Sequence, residues 1–219
     1  TGNTVHQIWR TVYGNSGIVK PGQVDAGSGT TPTILPGNLV AITDNSDPMN
    51  IVVYKGSTGA KVCSVPVFSK GASATENSLI GWGTTSKSSL IVENNYGYVN
   101  PYYVGGGGTT KPGVTKIDIT SGKTCKVAWK NTTLSAPTLV PKVSLGNGLL
   151  YLYTKPKTTN HSDAWFWTAV DVATGKQVWS RFAGSGVMHF NNNYAAVHIG
   201  PDGALYMGLI GGVARLADS

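Results

Sequence analysis

One short phrase recurs along the chain and constrains its fold more than any other feature. A Thr-Gly or Ser-Gly pair stands before a β-branched or aromatic run in residues 1–9, 58–65, 121–129 and 174–179, and the four glycines are 57, 63 and 53 residues apart. Glycine adopts positive φ without strain and suits a tight turn, and a β-branched run after such a turn indicates a strand. A period of roughly 50 to 60 residues predicts a repeat protein.

Three further strand-like segments precede each turn in the same order, so that the turn joins a third strand to an outer fourth one. They span residues 31–34, 39–43 and 51–54, then 78–82, 90–93 and 114–119, then 137–143, 149–153 and 165–172, and finally 194–199, 204–209 and 213–216. Four-stranded units repeated radially form the blades of a β-propeller. The sequence therefore predicts an all-β propeller of about four blades in preference to a pair of β-sandwiches, which would also contain many short strands.

The unit boundaries leave the closure of the propeller open. We expect units at 28–68, 76–130, 136–182 and 190–219, with residues 1–10 as the outer strand that closes the last blade of a single propeller domain or half-propeller. The chain could close alone as a four-bladed ring, pair with a second copy into eight blades, or be half of a longer propeller. An isolated open arc is the least favoured, because an unpaired strand exposes its backbone groups.

Composition and charge narrow the class of partner. The chain has 29 glycines, only 12% charged residues and a net charge of +7, which excludes collagen, coiled coils and long disorder. Sequence-independent nucleic-acid binding needs clustered cations with interleaved aromatics, and the densest basic cluster, which Asp118 interrupts, is Lys111, Lys116, Lys123, Lys126 and Lys130. We expect a solvated basic surface and no nucleic-acid partner. No apolar run reaches the ~20 residues of a membrane span, so none is expected.

Several features favour a secreted, extracellular protein. The chain starts at Thr1 without Met, which indicates a processed or truncated start, and two Asn-x-Ser/Thr sequons make Asn131 and Asn160 candidate glycosylation sites. Cys63 and Cys125 are the only cysteines, and two cysteines in an exported chain suggest a disulfide. Both lie in outer strands of consecutive units, however, which splay apart, and a bridge needs Cα atoms within about 7 Å. They either bridge these strands, pair elsewhere or stay free.

Acid and amide residues at the strand ends are candidate metal ligands. Asp44 and Asn45 follow one predicted strand, and Glu93 and Asn94 follow another. Carboxylate and amide oxygens suit Ca²⁺, so these four residues would form a calcium site if they converged on a central channel. Asn and Asp also cap turns, which is the simpler interpretation.

The tyrosines are the candidates for ligand binding. Tyr96, Tyr98, Tyr102 and Tyr103 lie in one glycine-flanked loop, where they could stack on sugar rings or contact a protein partner. Trp165 and Trp167 alternate within one strand, so they point to one face and are expected in the core.

Residues 171–179 (DVATGKQVW) and 200–208 (GPDGALYMG) resemble the repeats of the quinoprotein-dehydrogenase-like, or PQQ-like, β-propellers. Residues 20–23, 27–33, 41–45, 76–83 and 92–98 resemble the C-terminal half of a group of longer, secreted, uncharacterised microbial propeller proteins. That resemblance implies a missing half-propeller. The quinone-dependent members carry a vicinal disulfide over the quinone, whereas the two cysteines here are not adjacent, so we expect no quinone.

The sequence thus favours a secreted propeller that serves as a binding or scaffold module, completed by a missing half-propeller chain or a second copy. Its ligand would be a glycan or a protein. The alternative is a calcium-dependent hydrolase whose acid and amide residues resemble the metal site of lactonase-type and paraoxonase-type propellers, with the metal polarising a carbonyl. Whether the protein is an enzyme stays open.

Overall fold

The computed structural model describes residues 2, 4–120 and 124–218 and contains four antiparallel sheets. Each sheet follows the chain as a meander, with sequence neighbours paired side by side. Sheet 1 comprises β1 (Thr33–Leu35), β2 (Leu39–Thr43), β3 (Asn50–Lys55) and β4 (Lys61–Pro66), and sheet 2 comprises β5 (Ile80–Gly83), β6 (Lys87–Glu93), β7 (Val114–Thr120) and β8 (Cys125–Asn131). Sheet 3 comprises β9 (Lys142–Ser144), β10 (Leu149–Thr154), β11 (Ala164–Asp171) and β12 (Gln177–Ser185), and sheet 4 comprises β13 (Val197–Ile199), β14 (Leu205–Leu209) and β15 (Gly212–Leu216).

The predicted all-β class and order of strands are confirmed. The turns at residues 58–59 and 174–175 join the third and fourth strands of their sheets, with Gly59 at φ 69° and Gly175 at φ 73°. The third predicted turn, at residues 121–123, and the proposed junction of Ser219 with Thr1 lie outside the described residues. The helical structure described is limited to α1 (Val187–Phe190) and the 3₁₀ turn Pro101–Val104.

The closure of the last blade by residues 1–10 stays a prediction, since the structure describes only part of that segment. Sheet 4 has three strands, the described residues form no closed ring, and residues 4–10 are in no strand. The described part of this segment is anchored instead on sheet 1, where Trp9 Nε1 donates a hydrogen bond to the Gly56 carbonyl at 2.7 Å. Val5 and Ile8 are 99% and 84% exposed. These two apolar side chains of the segment are thus exposed, since none of the described sheets packs over them.

Tryptophan side chains from one unit lie on the glycine turn of the next. The indole of Trp129 covers Gly175 and donates to the Val172 carbonyl at 2.8 Å, which joins sheet 2 to sheet 3. Trp9 covers Gly59 in the same way. A side chain at either glycine would overlap the indole ring, so each close approach needs glycine.

The junction between sheets 1 and 2 carries the disulfide. Cys63 in β4 and Cys125 in β8 are bonded, with their Cα atoms 6.1 Å apart. The predicted disulfide is confirmed, because the outer strands of these two sheets contact each other rather than splaying apart.

The apolar core lies between neighbouring sheets in two clusters. One is shared by sheets 1 and 2 and includes Ile51 and Leu90. The other is built mainly from sheet 3, with residues from sheets 2 and 4, and includes Trp165 and Trp167. Both tryptophans are buried, as predicted, and the ring of Tyr153 stacks on Trp165 with centroids 5.3 Å apart. The loops at the strand ends are thereby fixed on closely packed sheets.

Candidate functional site

The predicted metal ligands of sheet 1 make hydrogen bonds within the chain. Asp44 accepts hydrogen bonds from the backbone and side chain of both Ser46 and Asn50, and so caps the loop between β2 and β3. Asn45 donates to the Asn15 side chain and the Ile18 carbonyl. Asp44 therefore caps a turn, whereas Asn45 holds the segment 15–18 against the end of β2.

The ligands predicted in sheet 2 are buried in a different environment. Glu93 is 1% exposed and accepts a hydrogen bond from Asn77 Nδ2; burial raises the pKa of its carboxyl to about 8, against the opposing effect of that bond. Asn94 accepts from the backbone amides of Ala74 and Tyr96. Within the described ranges no three His, Cys, Asp or Glu side chains are grouped to hold a metal. The calcium site stays a prediction.

Tyr98 differs from the other three tyrosines because it is buried where the loop between β6 and β7 meets the segment before β13. Its hydroxyl donates to Asn193 Oδ1 at 3.0 Å and accepts from Asn191 Nδ2 at 3.1 Å, and its ring contacts Tyr194 edge-on with centroids 5.5 Å apart. Burial raises the pKa of Tyr98 to about 12. Its contacts therefore join these two segments. The sequence does not show which residues the asparagines 191–193 contact, because these contacts form only in the folded chain.

Tyr102 and Tyr103 are displayed on the surface, 70% and 57% exposed. They lie in the 3₁₀ turn Pro101–Val104, where Asn100 accepts hydrogen bonds from both of their backbone amides. An Asn cap and a proline at the first position fix such a turn. Residues 96–113, which we call the tyrosine loop, thus present two aromatic rings in a defined orientation.

A buried ion pair anchors the glycine-rich part of the tyrosine loop. Lys155 is fully buried at the end of β10; its Nζ lies 2.9 Å from Asp163 Oδ1 and donates to the Gly108 carbonyl at 2.7 Å. Asp163 also accepts from the backbone amides of Gly106 and Gly107. Burial raises the pKa of Asp163, but the Gly107 amide, Lys155 and the Gly106 amide outweigh it and hold the pKa below its usual value. Sequence reasoning missed this pair, because residues 155 and 163 belong to no motif.

A surface groove of about 880 Å³ opens beside the tyrosine loop. Its walls carry two tyrosines, two lysines, several hydroxyl groups and prolines from sheets 2 and 3; they include Tyr96, Tyr103, Lys111, Thr133, Pro156 and Lys157. A second groove of about 470 Å³ adjoins it and shares Lys111 and Pro112. Two of the four predicted binding tyrosines, Tyr96 and Tyr103, thus line this groove.

The two sequons differ in the availability of their asparagines. Asn131 donates its Nδ2 to the Gly175 carbonyl at 2.9 Å, at the junction of sheets 2 and 3. Asn160 is exposed, and its Oδ1 accepts from the Ser162 amide. Modification at Asn131 would break a contact between sheets, whereas Asn160 is open to solvent. Glycosylation of either residue stays a prediction.

Comparisons with known proteins find a relative and similar folds. No family model matches the chain. An uncharacterised protein of Archaeoglobus fulgidus is 28% identical over 250 residues, an alignment that covers all of this chain and 47% of the relative. BamB from Moraxella catarrhalis superposes with a TM-score of 0.50 at 18% identity, over 88% of this chain and 51% of that one. A europium-containing methanol dehydrogenase gives a TM-score of 0.49 at 11% identity, over 87% and 41% of the two chains.

The chain spans about half the length of these relatives. No helix of the described residues has the length and apolar character needed to cross a bilayer. With four antiparallel meander sheets following one another along the described chain and a superposition on half of BamB, the chain has a β-propeller fold.

Proposed function

We propose that the chain is one half of a larger β-propeller, which binds its ligand through the tyrosine loop. The observation that carries the binding role is the exposure of Tyr102 and Tyr103 on a turn fixed by Asn100 and by the Lys155–Asp163 pair. Loops positioned by a rigid scaffold are the usual places of recognition, and ordered tyrosines bind at low entropic cost.

Two features of the described structure that lack a pairing strand support the half-propeller. The free edge of β15 lacks the fourth strand that sheets 1 to 3 possess, and residues 4–10 carry Trp9 as an outer strand would but have no sheet of their own. The relative in Archaeoglobus fulgidus offers as much chain again for the missing blades. A second copy of the chain could cover the same surfaces, with each copy supplying the other's fourth strand.

A scaffold role is favoured over the calcium-dependent hydrolase. The Asp44 carboxylate already accepts hydrogen bonds from Ser46 and Asn50, and the buried Glu93 carboxyl accepts one from Asn77. Among the described residues, neither acid belongs to a group of three His, Cys, Asp or Glu side chains that could hold a metal. The Cys63–Cys125 bond supports an extracellular location, because disulfides persist in oxidising compartments.

The binding role is tested with the intact natural protein on glycan and protein arrays. Tyr102→Ser and Tyr103→Ser should each abolish or strongly weaken the signal of any ligand that the wild type retains. Phe182→Ser removes an equally exposed aromatic ring from β12 and is the matched control. An equal loss of binding in the control, or full binding by both tyrosine variants, would show that the tyrosine loop does not recognise the ligand.

The half-propeller is tested by native mass spectrometry of the 219-residue chain, without reduction. Recovery of a complex with a separately produced other half, or of a dimer, agrees with the proposal. A folded monomer that does not bind the other half would contradict the proposal.

A further inference from the structure

Among the described residues, the charged side chains that line the two adjoining grooves beside the tyrosine loop are all positive. Lys111 lies where they meet, Lys130 lines one groove and Lys157 lines the other. All three side chains are exposed, and in the described part of the chain neither lining includes an Asp or Glu. Positive charges along an open surface without acids between them attract a polyanion.

None of these three lysines has a carboxylate partner among the described residues. Lys116, from the cluster picked out in the sequence, lies 3.3 Å from Asp118, and Lys155 is paired with Asp163. The ion pairs of the described ranges include none of Lys111, Lys130 and Lys157. Their charges are therefore available to a ligand.

The remaining walls suit sugar rings. Tyr96 and Tyr103 offer aromatic faces, and Thr109 and Thr133 stand among the lining residues. The floor is rigid, because Ser135 donates to the Thr110 carbonyl and the Lys155 amide donates back to the Ser135 carbonyl. Aromatic faces and hydroxyls on a rigid floor recognise pyranose rings, and lysines recognise their acidic substituents without the bidentate geometry that arginine gives to phosphate.

We propose that these grooves bind a linear acidic polysaccharide, with Lys111 at the centre of the contact. Two grooves of about 880 and 470 Å³ that share Lys111 and Pro112 offer room for several sugar units, and the acidic groups would be carboxylates or sulfates. This inference rests on the proposed function, which assigns ligand binding to the tyrosines. The lysines carry the additional prediction that the ligand is acidic.

The test measures affinity of the intact natural protein for polygalacturonate and heparin, with neutral dextran and a single-stranded oligothymidylate as comparators. Polygalacturonate and heparin distinguish carboxylate from sulfate. Lys111→Gln should weaken binding to the preferred acidic chain roughly fivefold and flatten its salt dependence by about one ion per lysine. Lys61→Gln removes an exposed charge from β4, outside both grooves, and should leave the affinity unchanged.

Several outcomes overturn the proposal. Equal weakening by Lys111→Gln and Lys61→Gln would show only attraction to net charge, equal binding of dextran would show that charge is irrelevant, and tighter binding of the oligothymidylate would indicate a nucleic-acid surface. The outcome also separates the two proposals. Loss in Tyr103→Ser alone would keep the tyrosine-loop function and reject the acidic ligand, whereas loss in Lys111→Gln alone would support an acidic ligand and reject the tyrosine role.

Discussion

Breaking the Lys155–Asp163 pair should destabilise the protein far more than breaking a surface pair. Lys155→Met keeps the length of the buried side chain and leaves the Asp163 carboxylate without its cation. Removing one partner of a buried pair costs about 3–5 kcal/mol. Asp163 is 17% exposed and keeps the amides of Gly106 and Gly107, so we expect a cost at or just below the lower limit of that range, about 2–3 kcal/mol.

The measurement is urea and thermal unfolding of both proteins, with Lys87→Met as the control. A loss of that size lowers the midpoint by roughly 5–10 °C for a chain of this length. Lys87 is 62% exposed in its pair with Asp118, and removing it should cost less than about 1 kcal/mol. The loosened tyrosine loop should also be cut faster by chymotrypsin at Tyr102 and Tyr103.

The pH dependence gives a second check on the same variant. Because the pKa of Asp163 is held low in the folded protein, its contribution is fully present above the unfolded pKa of about 4 and is lost as the pH falls through the folded pKa. The gap between wild type and Lys155→Met should therefore shrink in acid. A variant as stable as Lys87→Met at pH 7, or a gap that does not change with pH, would refute this account of the pair.

Three further perturbations test other parts of the structure. Glu93→Gln should abolish a decline in unfolding free energy that the wild type shows from about pH 4.5 to about pH 8, since burial raises the pKa of Glu93 and favours its proton in the folded state. Urea titrations of the wild type that show no such decline would contradict the raised pKa. Replacing Cys63 and Cys125 with serine should cost up to about 4 kcal/mol for their 62-residue separation, read from midpoints with and without reductant. Tyr153→Phe removes a buried hydroxyl without a partner in the described structure and should be neutral or stabilising by about 1 kcal/mol, and calorimetry showing a clear loss would contradict that.

The sequence predicts part of the candidate site, and the rest depends on contacts between distant residues. The tyrosine loop could be recognised from its clustered aromatics and glycines, yet nothing local distinguishes buried Tyr98 from exposed Tyr102. That difference depends on Asn191 and Asn193, more than ninety residues away. Likewise, the string containing Asp44 and Asn45 suits both a metal and a turn, and only the positions of Ser46 and Asn50 show that Asp44 caps a loop.

The sequence by itself determined the strands, their order and the repeat, because turn glycines and β-branched runs act over a few residues. It also placed Trp165 and Trp167 in the core from their alternation. Only the tertiary structure decided that Cys63 reaches Cys125, that Trp9 rests on sheet 1 and that Lys155 anchors the tyrosine loop. These contacts join residues far apart in the chain, and their distances depend on how the sheets pack, which no local pattern encodes.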